Sequence, residues 1–322
     1  MASISTNSST KSTITRTSEV DGVVIIDKPS GWTSHDVVAK IRNLTKVKKV
    51  GHTGTLDPFA TGVLPLTLGK ATRLTSYFLA SDKVYHGVMR FGFATTTYDV
   101  DGGPLGEDTR PELDAARLQS IFERYRGTVL QTLPPYSAKK VRGRPLYSYA
   151  RKGIELSPTT KEVTIRSLTL VSVNGSEVEF ELSCAAGTYA RSVAHDIGLE
   201  YGCGAHLVRL RRIRSGEFAI ETAVPLTEGE KFYPREFFIS KVIPLRNLLH
   251  EIPAIVIPEG DRRKLAHGMD LNLITADPDS AEYRLIDESG ELMALAHRVQ
   301  TFVSPVEQPV RWVRVHPHVT FG

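Results

Sequence analysis

A glycine-punctuated loop running straight into an apolar strand, GHTGTLDPFATGVLP followed by LTL over residues 51–68, constrains this chain more than any other stretch. Gly51, Gly54 and Gly62 supply backbone freedom, Pro58 fixes the turn after Asp57, and residues 63–68 read as a buried strand that anchors the loop. Such a loop presents one carboxylate, Asp57, rigidly and with almost no competing charge beside it. Taken alone, the same residues also fit a plain chain reversal, because Asp-Pro opens many turns.

Around that loop the apolar periodicity alternates between strand and helix. Residues 22–27 read as a buried strand, and Ser34 as the cap of a helix carrying Val37, Val38, Ile41 and Leu44. Residues 84–93 alternate, with Tyr85, Gly87, Met89, Phe91 and Phe93 on one side, which places Tyr85 at a strand edge. Thr109 and Glu112 form a capping-box pattern before a helix with Leu113, Leu118, Ile121, Phe122 and Tyr125. Val178, Phe180, Leu182 and Cys184 alternate, and Val193, Ala194, Ile197 and Tyr201 give a helix stopped at Gly202, with Arg191 near its start. A further strand is expected over 207–213. This irregular order predicts an α+β fold with a mixed, mainly antiparallel sheet. After a shift in composition over 241–253, short strand signals at 254–257, 283–287, 292–296 and 310–315 predict a small β-rich module. The expected division is a Ser/Thr-rich disordered tail at 1–20, a main α+β domain at 21–250 and the β-rich domain at 251–322.

Composition narrows the function classes. At 322 residues and 41% hydrophobic content the chain can bury a large and a small core, and no apolar run reaches the roughly 18 residues that span a bilayer. No membrane association is expected. Cys184 and Cys203, the only cysteines, lack metal-ligand spacing, so neither a disulfide framework nor a metal is expected, and a reducing cytoplasm fits best. The tail lacks the apolar stretch of a secretory signal, although its Ser-rich, acid-poor composition also suits an organellar transit peptide. A net charge of +4 argues little, but its distribution argues more. Lys139, Lys140, Arg142, Arg144, Arg151 and Lys152 are interleaved with Tyr136, Tyr147 and Tyr149, an RNA-contacting arm expected at about 132–153 in which cations neutralise phosphates and tyrosines stack on bases. Arg209, Arg211, Arg212 and Arg214 form a second cluster and Lys46, Lys48 and Lys49 a third, each also readable as solvated surface. LGKAT at 68–72 matches part of a phosphate-binding loop but lacks its glycine at Leu64, so no nucleotide cofactor, and no cofactor of any kind, is expected.

GVVIIDKPSGWTSHDVV before the loop, SDKVYHG after it, and GTYARSVAHDIG with GCGAHLVRLRRIRSG much later complete a set in fixed order. From about Gly22 to at least Gly216 the chain resembles the bacterial-type tRNA pseudouridine-55 synthases, the TruB family. The resemblance implies a uridine-to-pseudouridine isomerase that flips a base out of the tRNA T-stem-loop and acts as a monomer. It implies Asp57 as the catalytic aspartate, attacking the ribose, adding to the pyrimidine or removing a ribose proton. Arg191 is implied as the partner that orients Asp57, Tyr85 as the residue stacking on the target base, and Tyr189 and Leu210 as walls of the uracil pocket. His52 is implied to hold the flipped RNA loop, with a loop-capping role as its alternative. Lys139, Lys140, Arg142, Arg144, Arg209 and Arg211 are expected to contact RNA, the DKP segment at 27–29 to support the loop, and the C-terminal part to be a PUA-type RNA-binding domain. Absent cofactor motifs suit a reaction that exchanges no electron, phosphate or net water. A guide-RNA-dependent H/ACA-type synthase subunit shares these motifs, and a non-catalytic tRNA chaperone would share the basic arm. A glycosidase would need a second carboxylate, for which Asp99 and Asp101 are the nearby candidates.

Overall fold

The computed structural model describes residues 20–137, 140–141, 143–146, 149, 154, 159–226, 233–303 and 311–321. The tail expected at 1–20 thus lies almost wholly outside the described residues, and Lys139 and Arg142 of the basic arm lie outside them too. Lys140 and Arg144 fall in a short antiparallel strand pair, Lys140–Val141 with Arg144–Pro145.

The strand signals close into one large sheet. Its main strands are β1 (Gly22–Lys28), β2 (Thr61–Leu68), β3 (Lys83–Phe91), β4 (Gly127–Thr132), β5 (Thr160–Asn174), β6 (Glu177–Cys184) and β7 (Ala205–Ser215), in the spatial order β1-β2-β7-β3-β6-β5-β4. The pair β2–β7 is parallel and the other neighbours in that order are antiparallel, so the sheet is mixed and mainly antiparallel. Helices α1 (Ser34–Thr45), α2 (Ala115–Arg124) and α3 (Ala190–Tyr201) bury Val37, Ile41, Leu118, Phe122, Val193 and Ile197 in the same core as Leu64, Leu66, Met89, Phe180 and Leu182. Each helical pair is spaced four residues apart, so one stripe meets the sheet.

Two caps differ from expectation. Thr33, not Ser34, caps α1, in a reciprocal capping box with Asp36, while Ser34 is buried and its hydroxyl is committed to the Asp57 loop. Asp114, not Thr109, caps α2, accepting from the amides of Ala116 and Arg117. In both cases several small polar residues precede the apolar stripe, and the tertiary partner decides which one is free to cap. Tyr85 lies near the start of β3, the strand end where it was expected, and β3 is an interior strand, with Tyr85 paired to Leu182 on one side and Arg212 on the other.

The C-terminal part forms a separate five-stranded sheet of β8 (Ala254–Val256), β9 (Leu271–Ile274), β10 (Glu282–Ile286), β11 (Leu292–Val303) and β12 (Arg311–Thr320), in the order β8-β10-β11-β12-β9. Its own core holds Leu271, Leu273, Tyr283, Leu285, Val313 and Val315. The strand β9 carried no sequence signal strong enough to read. Leu292, Leu295 and Phe321 pack with Val23, Ile25, Leu74 and Phe78 in a further core that joins the module to the large sheet. Among the described residues no helix is long and apolar enough to cross a membrane.

Candidate active site

The loop carrying Asp57 is held from below by buried polar groups. Lys28, fully buried at the end of β1, donates to the carbonyls of Pro29, Trp32 and Pro58 at 2.8, 2.6 and 3.1 Å. Burial pushes its ammonium down to about 8, with the negative charge of Asp57 acting in the opposite sense. Ser34 Oγ accepts from the Leu56 amide at 2.9 Å and reaches the Leu56 carbonyl at 3.2 Å. Arg212, read from sequence as part of a positive surface, is instead 1% exposed: its Nε donates to Val63 O at 2.7 Å and its Nη2 to Gly54 O at 3.1 Å. A buried guanidinium is tolerated only when its donors find acceptors, and here those acceptors are the backbone on both sides of the Asp57 turn. The supporting role expected of the DKP segment therefore falls to Lys28, joined by Ser34 and Arg212.

Asp57 meets Arg191, which lies 134 residues later and is the second residue of α3. Arg191 Nη2 donates to Asp57 Oδ1 at 3.0 Å, and Nε lies 2.9 Å from Oδ2 but off the line of a good hydrogen bond. The same guanidinium donates to the carbonyls of Thr97 and Tyr136 at 3.1 and 3.0 Å and stands 3.4 Å from Asp99 Oδ2. Arg191 thus bridges two carboxylates of unequal access: the Asp57 side chain is 34% exposed, those of Asp99 and Arg191 5% each. Burial raises the Asp99 carboxyl, opposed by the Thr97 hydroxyl and by Arg191. Asp99 is fixed by that hydroxyl, so only Asp57 faces open space.

That space is a cleft of about 360 Å³, lined among others by Asp57, Lys83, Tyr85, Tyr136, Tyr189 and Leu210. It lies within the range of roughly 300 to 1,000 Å³ typical of small-molecule sites. Burial raises the Tyr85 phenol, against the pull of the Arg212 charge, and burial pushes the Lys83 ammonium down to about 8 while it caps the carbonyls of Phe78, Leu79 and Ser81. Tyr189 is fixed through its backbone: the buried Gln131 side chain accepts from its amide at 2.8 Å and donates to its carbonyl at 3.1 Å. This clamp replaces a side-chain cap at the start of α3.

The structure therefore brings Asp57, Arg191, Tyr85, Tyr189 and Leu210 together. His52 does not line the cleft; its Nδ1 accepts from Gly54 N at 3.3 Å and its ring meets His35 edge-on at 5.5 Å, the geometry of its loop-capping alternative. Arg211 grips Asp27 through two bonds of 3.1 and 2.7 Å and borders an adjoining cleft of about 490 Å³ that shares Leu210 with the first. Arg209 borders the same cleft, is 71% exposed and stands 3.5 Å from Glu177. Lys46, Lys48 and Lys49 are exposed. Sequence reasoning missed the supporting role of Ser34 and Arg212, and named Asp99 as a rival's second acid without its link to Arg191; the DVD spacing after three threonines was the signal available for it.

A mixed, mainly antiparallel α+β sheet with a small C-terminal β module is the architecture of the pseudouridine synthases. Residues 42–190 match the family model for the N-terminal domain of the TruB family pseudouridylate synthases, and residues 191–252 match the tRNA pseudouridylate synthase B C-terminal domain. The chain is 41% identical over 282 residues to the tRNA pseudouridine synthase B of Solibacter usitatus (strain Ellin6076), covering 87% of this chain and 96% of that protein. It is 39% identical over 292 residues to the same-named protein of Burkholderia pseudomallei (strain 668), covering 89% and 96%. A chain in the crystal structure of a Cbf5-Nop10-Gar1 complex superposes with a TM-score of 0.68 at 27% identity, covering 94% of this chain and 85% of that one. This chain belongs to the TruB family of pseudouridylate synthases.

Proposed function

We propose that this chain converts uridine to pseudouridine at position 55 in the T-loop of tRNA, acting alone on the RNA as a monomer, with Asp57 as the essential residue. The observation that carries the reading is the exposure contrast around Arg191. One buried guanidinium orients two carboxylates, and only Asp57 opens onto a cleft large enough for a nucleotide.

The reaction breaks the bond from C1′ of the ribose to N1 of uracil and forms one from C1′ to C5; C5 loses its proton and N1 gains one. The base must leave its stack to reach Asp57, at a cost of a few kcal/mol that phosphate contacts from exposed lysines and arginines offset. Tyr85 offers its face to the extruded base, and its phenol, kept neutral by burial, leaves a hydroxyl in the cleft that can relay a proton. Leu210 and Tyr189 wall off water while uracil is detached. Residues 21–250 are the catalytic unit in this reading, and 251–322 a PUA-type surface that grips the RNA elsewhere.

The standalone reading is favoured over a guide-RNA-dependent subunit by the 41% identity across 96% of a tRNA pseudouridine synthase B, against 27% for the chain from the Cbf5 complex. A chaperone without chemistry would have no use for the Asp57–Arg191 pair. Incubation of the purified protein with an unmodified tRNA transcript, followed by mapping of pseudouridine, tests all three. Modification at position 55 by the wild type and none by Asp57→Asn is expected; unimpaired Asp57→Asn, or activity only with an added guide RNA, overturns the proposal.

A further inference from the structure

Two stacked imidazoles and a carboxylate gather where the β module meets the large sheet, outside the Asp57 cleft. Glu282, at the start of β10, pairs directly with His297 on β11, so both side chains leave the same face. His318 comes from β12, on the other side of β11, where a register shift at Leu295/Ala296 interrupts the ladder. Its ring lies over that of His297 with centroids 3.7 Å apart and planes 3° from parallel. Glu282 Oε1 is 3.0 Å from His318 Nε2 and 3.8 Å from His297 Nδ1, and one donor atom from each residue falls within 4.8 Å of the others.

We propose that Glu282, His297 and His318 form a three-ligand site for a divalent transition cation of the zinc class. Zinc with bonds of about 2.0–2.1 Å separates tetrahedral donors by roughly 3.3 Å. Two of the three separations bracket that value, and because a bound metal lies in the plane of each imidazole, the His297 ring, 59% exposed, must swing out of its stack on His318 to share it. Two imidazole nitrogens and one carboxylate oxygen suit zinc, cobalt or nickel and lack the all-oxygen shell that calcium and magnesium require.

One further feature favours a ligand over a chance surface cluster. Tyr77, on the short helix Thr75–Ala80 that packs on the large sheet, donates its hydroxyl to Glu282 and also touches His318 Nε2. As a hydroxyl donor it orients the carboxylate as an outer partner. Tyr77 packs against the core that includes Leu292, Leu295 and Phe321, and a bound cation would therefore tie three strands of the module to a helix of the large sheet. Cysteine and histidine spacing in the sequence shows none of this, because the ligands come from three different strands.

The test uses the tag-free full-length protein, stripped with chelator and titrated with zinc chloride by calorimetry and with cobalt chloride by visible absorption. Binding of one equivalent at sub-micromolar Kd, with cobalt bands of a tetrahedral site, is expected. His297→Ala and His318→Asn should each weaken zinc binding by more than the roughly 10–100-fold that loss of an outer partner costs, and Tyr77→Phe should fall within that range. Because His297 is exposed, its variant should keep the wild-type Tm in chelator while losing the zinc-induced rise. Absence of saturable binding, or affinity unchanged in His297→Ala, overturns the site and leaves a metal-free Tyr–Glu–His cluster. None of these readouts depends on the RNA chemistry.

Discussion

Arg191 serves four acceptors at once, the carboxylates of Asp57 and Asp99 and the carbonyls of Thr97 and Tyr136, and only a planar fork of donors can do so. Arg191→Lys keeps the charge but loses the fork. It should lower single-turnover pseudouridine formation by about 100-fold or more, the scale of losing one preorganised electrostatic contact, with tRNA affinity little changed. A rate near wild type would mean that charge alone suffices. Gly62 is a second position where one atom decides the outcome. Its φ is +101°, and a Cβ there would stand 2.2 Å from the Arg212 carbonyl oxygen, where β2 meets β7. Gly62→Ala should cost about 3 kcal/mol or more in urea unfolding, because neither the backbone angle nor the neighbouring strand can give way. A loss under about 1 kcal/mol would show that the two strands can part at that point. At this scale the family resemblance singled out Asp57, Arg191 and Tyr85, which the structure gathers at one cleft, yet the sequence hid Arg212. An arginine among three others reads as surface, and only the acceptors at Val63 and Gly54, brought near by folding, make its burial affordable.

The helix α3 links the site to a titrating pair of opposite sign. His195 stacks on Tyr98 at 3.6 Å and burial pushes its imidazole down to about 4; burial raises the neighbouring Asp196 carboxyl to about 6. A lowered histidine contributes stability that is complete above its unfolded value near 6.5 and is lost as pH falls toward 4. A raised aspartate contributes stability that is complete below about 3.8 and is lost as pH rises through 6. Each amounts to roughly 3 kcal/mol at 1.36 kcal/mol per unit, so across pH 4–6 they nearly cancel. Asp196→Asn should therefore become more stable as pH rises through this window, and His195→Asn less stable, measured by denaturant midpoints at fixed salt. Parallel profiles for the two variants would contradict the assignment. Elements of this kind were legible by period alone: α3 with its Gly202 stop, β2 and β6 stand as read, whereas the caps of α1 and α2 depended on which polar residue the tertiary structure left free. β7 was read short because its register shifts break strict alternation.

Across the whole molecule, exposed cations at Lys46, Lys48, Lys49 and Arg209 stand apart from the buried ones at Lys28, Lys83, Arg191 and Arg212. The two groups should separate by experiment. Replacing Lys46, Lys48 and Lys49 with alanine should weaken tRNA binding and flatten the plot of log affinity against log salt by about 2, given a slope near 0.7–0.9 per phosphate contacted. An unchanged slope would remove that cluster from the interface. The buried group has a consequence of another kind. Asp57 meets Arg191 only across 134 residues, and its loop is unsupported until Arg212 on β7 slots between β2 and β3, so partners are drawn from opposite ends of the large sheet's sequence. Such pairings form late, because distant segments must first be brought together. A chain still being synthesised thus carries that carboxylate without its supports through most of its translation, and the constellation closes only when the final strand of the large sheet's centre arrives.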